Sequence, residues 1–213
     1  SIANSGVNVA CLSPGIGAIY SSAGVSDDRI HIIKNGVRTD LFRYTEDPAY
    51  PQRSIYLAKI DYRKRQHLFQ DVDNLYFAGN LADDRFKSDH SRYLGQWNKD
   101  TLYHELTEYA NLVLLSDGEA HPLVCMEAMT AGLGLVLSER ATANLDLSLP
   151  FIDVIREKDV MNIPLVSAVI KKNRENSLKH REEIKEYAST FSWDNVVKDL
   201  YIPVYENIIN SSK

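Results

Sequence analysis

Two carboxylates stand eight positions apart in the segment SDGEAHPLVCMEAMTAGLGLVLS, residues 116–138: Glu119 and Glu127. From 122 to 137 every residue is apolar or glycine except Glu127 and Thr130. An ionised carboxylate in such surroundings is costly unless it is paired or hydrogen-bonded. The partner of Glu127 can be structural, such as a backbone N–H or a lysine, or it can be a ligand. The vicinal hydroxyls of a ribose or a sugar suit a carboxylate, because both donate hydrogen bonds to it. Glu119 precedes the apolar run. It reads as a solvated loop acid or as a second acceptor for hydroxyls.

Positive charge lies elsewhere in the chain. Lys59 follows the apolar stretch SIYLA, and Arg63, Lys64 and Arg65 follow a turn later. Such a run is either a solvated helix start or the counter-charge for an anion. A helix expected over 123–131 would add the free N–H groups of Leu123 and Val124 and the positive end of its dipole, a seat for phosphate. Gly95, Gln96 and Trp97 form a glycine–aromatic loop that can converge on one crevice with the basic cluster and the acidic pair. His121 reads more readily as a surface or packing histidine than as a base.

These residues need a scaffold, and the hydrophobic pattern supplies one. Strands are expected at 7–13, 29–37, 54–60, 74–80, 111–116, 133–139 and 151–157, with a short one at 92–97. Between them run helices at 14–24 (Ser13 as N-cap, Pro14 in the first turn), 61–72, 98–110 and 123–131, the last stopping at Gly132. Residues 38–53 and 81–91 are expected to be loops. One long or two shorter polar helices follow at 162–190, and a final helix at 193–209 is broken or kinked near Pro203. Short Val/Ile/Leu-rich strands separated by helices indicate a Rossmann-like parallel α/β sheet covered on both faces. In such folds ligands bind outside the carboxyl ends of the strands. Lys59 and Gly95 stand near the ends of expected strands, and Glu119 just after one.

The 213 residues suffice for one ordinary domain, or one domain plus a piece of another. With 44% hydrophobic and 25% charged residues, a soluble core is expected. The net charge of −5 argues against a general nucleic-acid binder. Cys11 and Cys125 are far apart, match no metal or redox spacing, and read as buried reduced thiols in a cytoplasmic protein. The longest apolar run carries Glu127 and two glycines and is too short to span a bilayer. The chain opens at Ser1 in a polar stretch, which suggests a segment of a longer protein.

The segment EAHPLVCMEAMTAG, 119–132, resembles the Glu-x7-Glu motif of the group 1, retaining, GT-B-fold glycosyltransferases. Their members read close to EGFPLVxLEAMAxG. RIHIIKNGVRTDLF resembles the interdomain strand and Asn-Gly-Val segment of that family. SIYLAKIDYRKRQ is similar to its donor-diphosphate strand and turn, RYLGQWNKDTLYHELTEYANLVLLS to the stretch that follows, and FSWDNVVKDLYIPVYENI to its closing Trp-led helix. The match runs in order over most of the chain.

The resemblance implies the C-terminal, donor-binding half of a GT-B fold. Residues 1–26 would then end the N-terminal acceptor domain, 27–190 form the nucleotide-sugar domain, and 191–213 the closing helix. The donor would be a nucleotide-diphosphate sugar such as a UDP- or GDP-sugar, with no cofactor and no bound metal. Glu119 would contact the transferred sugar and Glu127 the ribose. Lys59 and Lys64 would neutralise the diphosphate, and Leu123 and Val124 would offer backbone N–H groups to it. Gly95, Gln96 and Trp97 would frame the base. His121 would stand in the loop beside the sugar. The sequence departs from the family at Ala120 (usually Gly), His121 (usually Phe), Lys59 (usually Arg) and Lys34 (commonly Pro). The acceptor and its pocket would lie in the missing N-terminal domain, so this chain alone is expected to turn over little. The alternatives are a degenerate nucleotide-binding or scaffolding module without transferase activity, and another GT-B enzyme such as an epimerase or phosphorylase.

Overall fold

A computed structural model describes residues 2–211. Two parallel sheets are present. The smaller joins β1 (Val9–Cys11) to β2 (Ile30–Ile32), with Val9 opposite Ile30 and Cys11 opposite Ile32, and α1 (Pro14–Ser22) crosses between them. Ser13 precedes α1 in an extended conformation, but its side chain makes no cap hydrogen bond, and Pro14 starts the helix.

The larger sheet holds five parallel strands in the order β4-β3-β5-β6-β7. They are β3 (Tyr50–Leu57), β4 (Leu75–Ala78), β5 (Tyr109–Leu114), β6 (Gly134–Ser138) and β7 (Ile152–Ile155). β5 and β6 are buried along their whole length. That burial explains their largely apolar sequences, since a strand covered on both faces has no side on which to alternate polar residues. Helix α2 (Lys99–Glu105), capped by the Asn98 side chain, leads into β5. Helix α3 (Leu123–Thr130) links β5 to β6, and α4 (Ile163–Lys179) packs along β3, β5, β6 and β7. The Rossmann-like parallel sheet expected from the strand–helix alternation is the architecture found.

Polar anchors tie the helices down. The side-chain amide of Asn111 in β5 donates to Asn173 of α4 at 2.8 Å, both fully buried. Arg181 opens α5 (Arg181–Ser189) and is only 3% exposed. Its guanidinium donates to the carbonyls of Thr45, Thr107, Tyr109 and Ala131, which offsets the cost of its buried charge. The Ala131 contact fixes the end of α3, just before Gly132 at φ +85.

Three expected elements differ, and the final helix keeps the irregularity expected near Pro203. The helix expected over 61–72 is replaced by turns, with one 3-10 turn at Gln66–Leu68. The Asp61 carboxylate accepts from the N–H groups of Arg63 and Lys64, a local turn that competes with helix. Arg65 then sits at φ 58, a left-handed conformation that no α-helix continues through. The strand expected at 92–97 makes a single bridge, Phe77 to Tyr93, before Gly95 at φ +76 turns the chain away. The loop expected over 38–53 is shortened, because β3 begins at Tyr50. The final helix is α6 (Trp193–Val196), a π-helical turn at Val197–Tyr201, and α7 (Ile202–Ser211). Pro203 has no N–H to return to residue 199, which accounts for the irregular turn placed just before it. No helix among the described residues is long and apolar enough to cross a membrane.

Candidate functional site

The chain runs from β3 outward to β4, then returns to place β5 on the other side of β3. The strand order therefore reverses between β3 and β5. The crevice beyond their carboxyl ends is where an open α/β sheet offers a ligand site.

Tyr56, the penultimate residue of β3, organises this end. Its ring is fully buried, near Phe69 and Phe77 at 6.5 and 6.1 Å. Its hydroxyl accepts from the Leu115 N–H at 2.8 Å and donates to the Lys64 carbonyl. Burial pushes the phenol far above its usual range, so it stays a neutral donor. One side chain thus ties the end of β5 to the turn that carries Lys64. Ser138, closing β6, donates to the Ser116 carbonyl at 2.6 Å. The Asp117 N–H donates to the Arg63 carbonyl and the Glu119 N–H to the Arg140 carbonyl.

These ties bring Lys64 and Glu119 into direct contact. The ammonium of Lys64 donates to the Glu119 carboxylate, which also accepts from the Ser116 hydroxyl at 2.7 Å. The two side chains keep only 20% and 16% exposure.

A cleft of about 320 Å³ opens at the same end of the sheet, and neither Lys64 nor Glu119 lines it. Its walls come from Leu57, Ala58 and Lys59 at the end of β3, Gly79 and Asn80 after β4, Gln96, Trp97 and Asn98 of the following loop, Lys99 and Leu102 of α2, and Val124 and Glu127 of α3. Lys59, Gln96, Trp97, Val124 and Glu127 therefore share one cavity. Gly95 precedes the Gln96–Trp97 wall and supplies its turn. Gly79 is required by space: a Cβ there would lie 1.8 Å from the Ala58 carbonyl oxygen. Leu123 is exposed at the start of α3. Its N–H and that of Val124 make no hydrogen bond among the described residues, so both remain available to an anion.

Glu127 stands half-buried in the wall of this cleft. No side chain or backbone group among the described residues hydrogen bonds to its carboxylate. Burial pushes its pKa up, and the charge of Lys99 acts against that rise. A half-buried carboxylate with no protein donor is free to accept from paired hydroxyls.

His121 lies apart from the cleft. It is 6% exposed, and its Nδ1 accepts from the Asn35 N–H at 3.0 Å. Its ring lies 6.1 Å from that of Phe191, over which Lys34 places its ammonium at 4.2 Å. Burial, and then the charge of Lys34, push its pKa down to about 4. Because Nδ1 accepts a backbone donor, the neutral ring carries its proton on Nε2, which is buried without a partner. His121 thus fastens the segment around Asn35 and the chain near Phe191 to the loop before α3.

Sequence reasoning did not single out Tyr56, Ser116, Lys99, Gly79 or Asn80. Gly79 and Asn80 directly follow a strand and were within reach of the rule that found Lys59. Tyr56 carried no signal, since a tyrosine inside a strand is ordinary. Among the described residues no group of three or more His, Cys, Asp or Glu side chains is disposed to hold a metal ion.

By sequence, no protein-family model and no curated protein matches the chain. By structure, it is similar to the lipopolysaccharide outer core galactosyltransferase WaaB in its apo form, with a TM-score of 0.71 and 18% identity over 97% of this chain and 62% of that one. It is similar to Anabaena HepE in complex with UDP-glucose, with a TM-score of 0.70 and 12% identity over 93% and 64%. It is also similar to the pneumococcal O-GlcNAc transferase GtfA in complex with UDP and GlcNAc, with a TM-score of 0.69 and 14% identity over 94% and 45%. The chain spans less than two thirds of the length of each. Identities this low establish a shared fold: a Rossmann-like domain of the kind found in GT-B glycosyltransferases.

Proposed function

We propose that the chain is the donor-binding domain of a retaining glycosyltransferase that takes a nucleotide-diphosphate sugar. The observation that carries this reading is the half-buried Glu127, without a protein donor, in a cleft it shares with Lys59, together with the Lys64–Glu119 pair. The ribose hydroxyls donate to Glu127, and the base lies against Gln96 and Trp97. The diphosphate sits between Lys59, Lys64 and the free N–H groups of Leu123 and Val124. Glu119 accepts from hydroxyls of the sugar.

In the transfer, the bond from the anomeric carbon to the β-phosphate oxygen breaks, and its electron pair leaves on the phosphate. The acceptor oxygen forms the new bond to that carbon and gives up its proton to the leaving phosphate oxygen. Lys59, Lys64 and the helix N–H groups are aimed at the charge that grows on the leaving diphosphate, which is where preorganised donors lower a barrier. Retention of configuration is supported by the Glu-x7-Glu resemblance. UDP is supported as the nucleotide by its presence in the HepE and GtfA complexes. The acceptor would be held by a further, N-terminal domain, of which residues 1–26 would be the end, with 191–213 closing the donor domain. A domain that binds a nucleotide without transferring sugar is the second reading. It is favoured by the way Lys64 and Glu119 already satisfy one another.

Calorimetric titration tests the proposal. UDP, GDP, ADP and their glucose, galactose, N-acetylglucosamine and mannose conjugates are titrated into the wild type, Glu127→Ala and Lys64→Ala. Loss of a hydrogen bond to a charged group costs about 1.5–3 kcal/mol, roughly a ten- to hundredfold loss in affinity. Folded variants that bind as tightly as the wild type, or a wild type that binds none of these at millimolar concentration, overturn the reading.

A further inference from the structure

Beyond the cleft, four charged side chains from four successive strand-end loops close into a ring. Arg65 follows β3, Asp117 follows β5, Arg140 follows β6 and Glu157 follows β7. The Arg65 guanidinium reaches Asp117 at 2.8 Å and Glu157 at 2.9 Å. Arg140 pairs with Asp117 through one nitrogen and approaches Glu157 at 3.8 Å through another. The charges alternate around the ring, so each is flanked by two of opposite sign. Arg65 and Glu157 are largely withdrawn from water, at 18% and 19% exposure.

The ring adjoins the two residues that face each other at the sugar end of the site. Arg65 directly follows Lys64. Asp117 stands two positions before Glu119, and the Arg140 carbonyl accepts the Glu119 N–H at 2.9 Å. Arg65 also holds a left-handed backbone, φ 58, which an L-residue adopts only where its surroundings enforce it. Its side chain is held by both carboxylates of the ring. Isolated surface ion pairs contribute little to stability. A closed, half-buried ring is suited to a different task, the fixing of loop geometry.

We propose that Arg65, Asp117, Arg140 and Glu157 are positioning residues, which hold Glu119 in register for the hydroxyls of the sugar. None of the four lines the cleft around Glu127, so the nucleoside end should not depend on them. The inference rests on the donor-site reading above and assigns the ring to one end of that site.

The test compares UDP with UDP-glucose, UDP-galactose and UDP-N-acetylglucosamine by calorimetry, in the wild type, Glu157→Gln, Glu157→Asp and Asp117→Asn, with thermal unfolding of each. For Glu157→Gln and Asp117→Asn we expect UDP affinity within twofold of wild type. The affinity for the preferred UDP-sugar relative to UDP should fall fivefold or more, and Glu157→Asp should restore most of it. An unchanged ratio in variants of a wild type that does bind overturns the ring's role and leaves the donor site standing. Equal losses for UDP and UDP-sugar together with lower thermal stability mean a merely structural role, which also overturns it. A wild type that binds none of the four nucleotides removes the donor site, and this inference with it.

Discussion

Lowering the pH from 7.5 to 5 charges a histidine in the unfolded chain but leaves His121 neutral in the folded one. Its folded pKa is pushed down to about 4, first by burial and then by Lys34, whose own charge is opposed by burial and favoured by Asp199. The unfolded value is about 6.5. Between these values the unfolded state binds more protons, so stability rises with pH. The contribution is fully present above the unfolded pKa and is lost as pH falls toward the folded one. Integrated from pH 7.5 to 5, the loss is about 2 kcal/mol for this single group, or roughly 4–8 °C in Tm for a chain of this size. His121→Phe keeps a ring against Phe191 but deletes the acceptor for the Asn35 N–H. It should be less stable than wild type by about 1–2 kcal/mol at pH 7.5. By pH 5 the two proteins should be about equal, because the variant has no proton to exclude. Urea unfolding at pH 7.5, 6 and 5 measures both curves, and every other titrating group cancels in their difference. Parallel curves, within about 0.5 kcal/mol across that range, would refute the buried neutral imidazole. They would also refute the assignment of His121 to fastening rather than to the cleft.

Tyr56→Phe removes the hydroxyl that joins Leu115 to Lys64. It leaves a buried donor and acceptor unpaired and should cost about 2–3 kcal/mol by chemical denaturation. A cost below about 0.5 kcal/mol would mean that neither group depended on it. Glu127 should make nucleotide binding depend on pH. Its pKa is raised in the free protein, and ribose hydroxyls donate to the ionised form, so affinity should increase as pH rises through that raised value. Glu127→Gln should abolish this dependence in titrations at several pH values. The same substitution should make the free protein more stable near pH 7, since a raised carboxylate pKa stabilises the fold at low pH and loses that contribution as pH rises. Wild-type affinity that is flat with pH would argue against ribose at Glu127.

Much of the site was legible because parallel sheets place ligands after their strands. Lys59, Glu127 and the Gln96–Trp97 loop each stand close to a strand or a helix start that apolar runs and Gly132 mark clearly. The turn after Asp61 was misread as helix. Its outcome depends on a carboxylate that captures two backbone N–H groups, and on Arg65, whose side chain is held by residues 52 and 92 positions away. The placement of His121 was equally out of reach. Whether that side chain faces a ligand or a neighbouring segment turns on Asn35 and Phe191, which arrive from opposite ends of the chain.

By itself the sequence determined the alternation of strands and helices, the apolar burial of β5 and β6, and the carboxylate stranded on α3. These follow from local periodicity and from the cost of burying charge, and both are written along the chain. Only the tertiary structure decided the strand order, the contact between Lys64 and Glu119, and the division of the charged residues into a cleft, a pair and a ring. Those depend on which loops meet at the reversal between β3 and β5. That meeting is set by hydrogen bonds and ion pairs across tens of residues, and the energy of such contacts has no local signature.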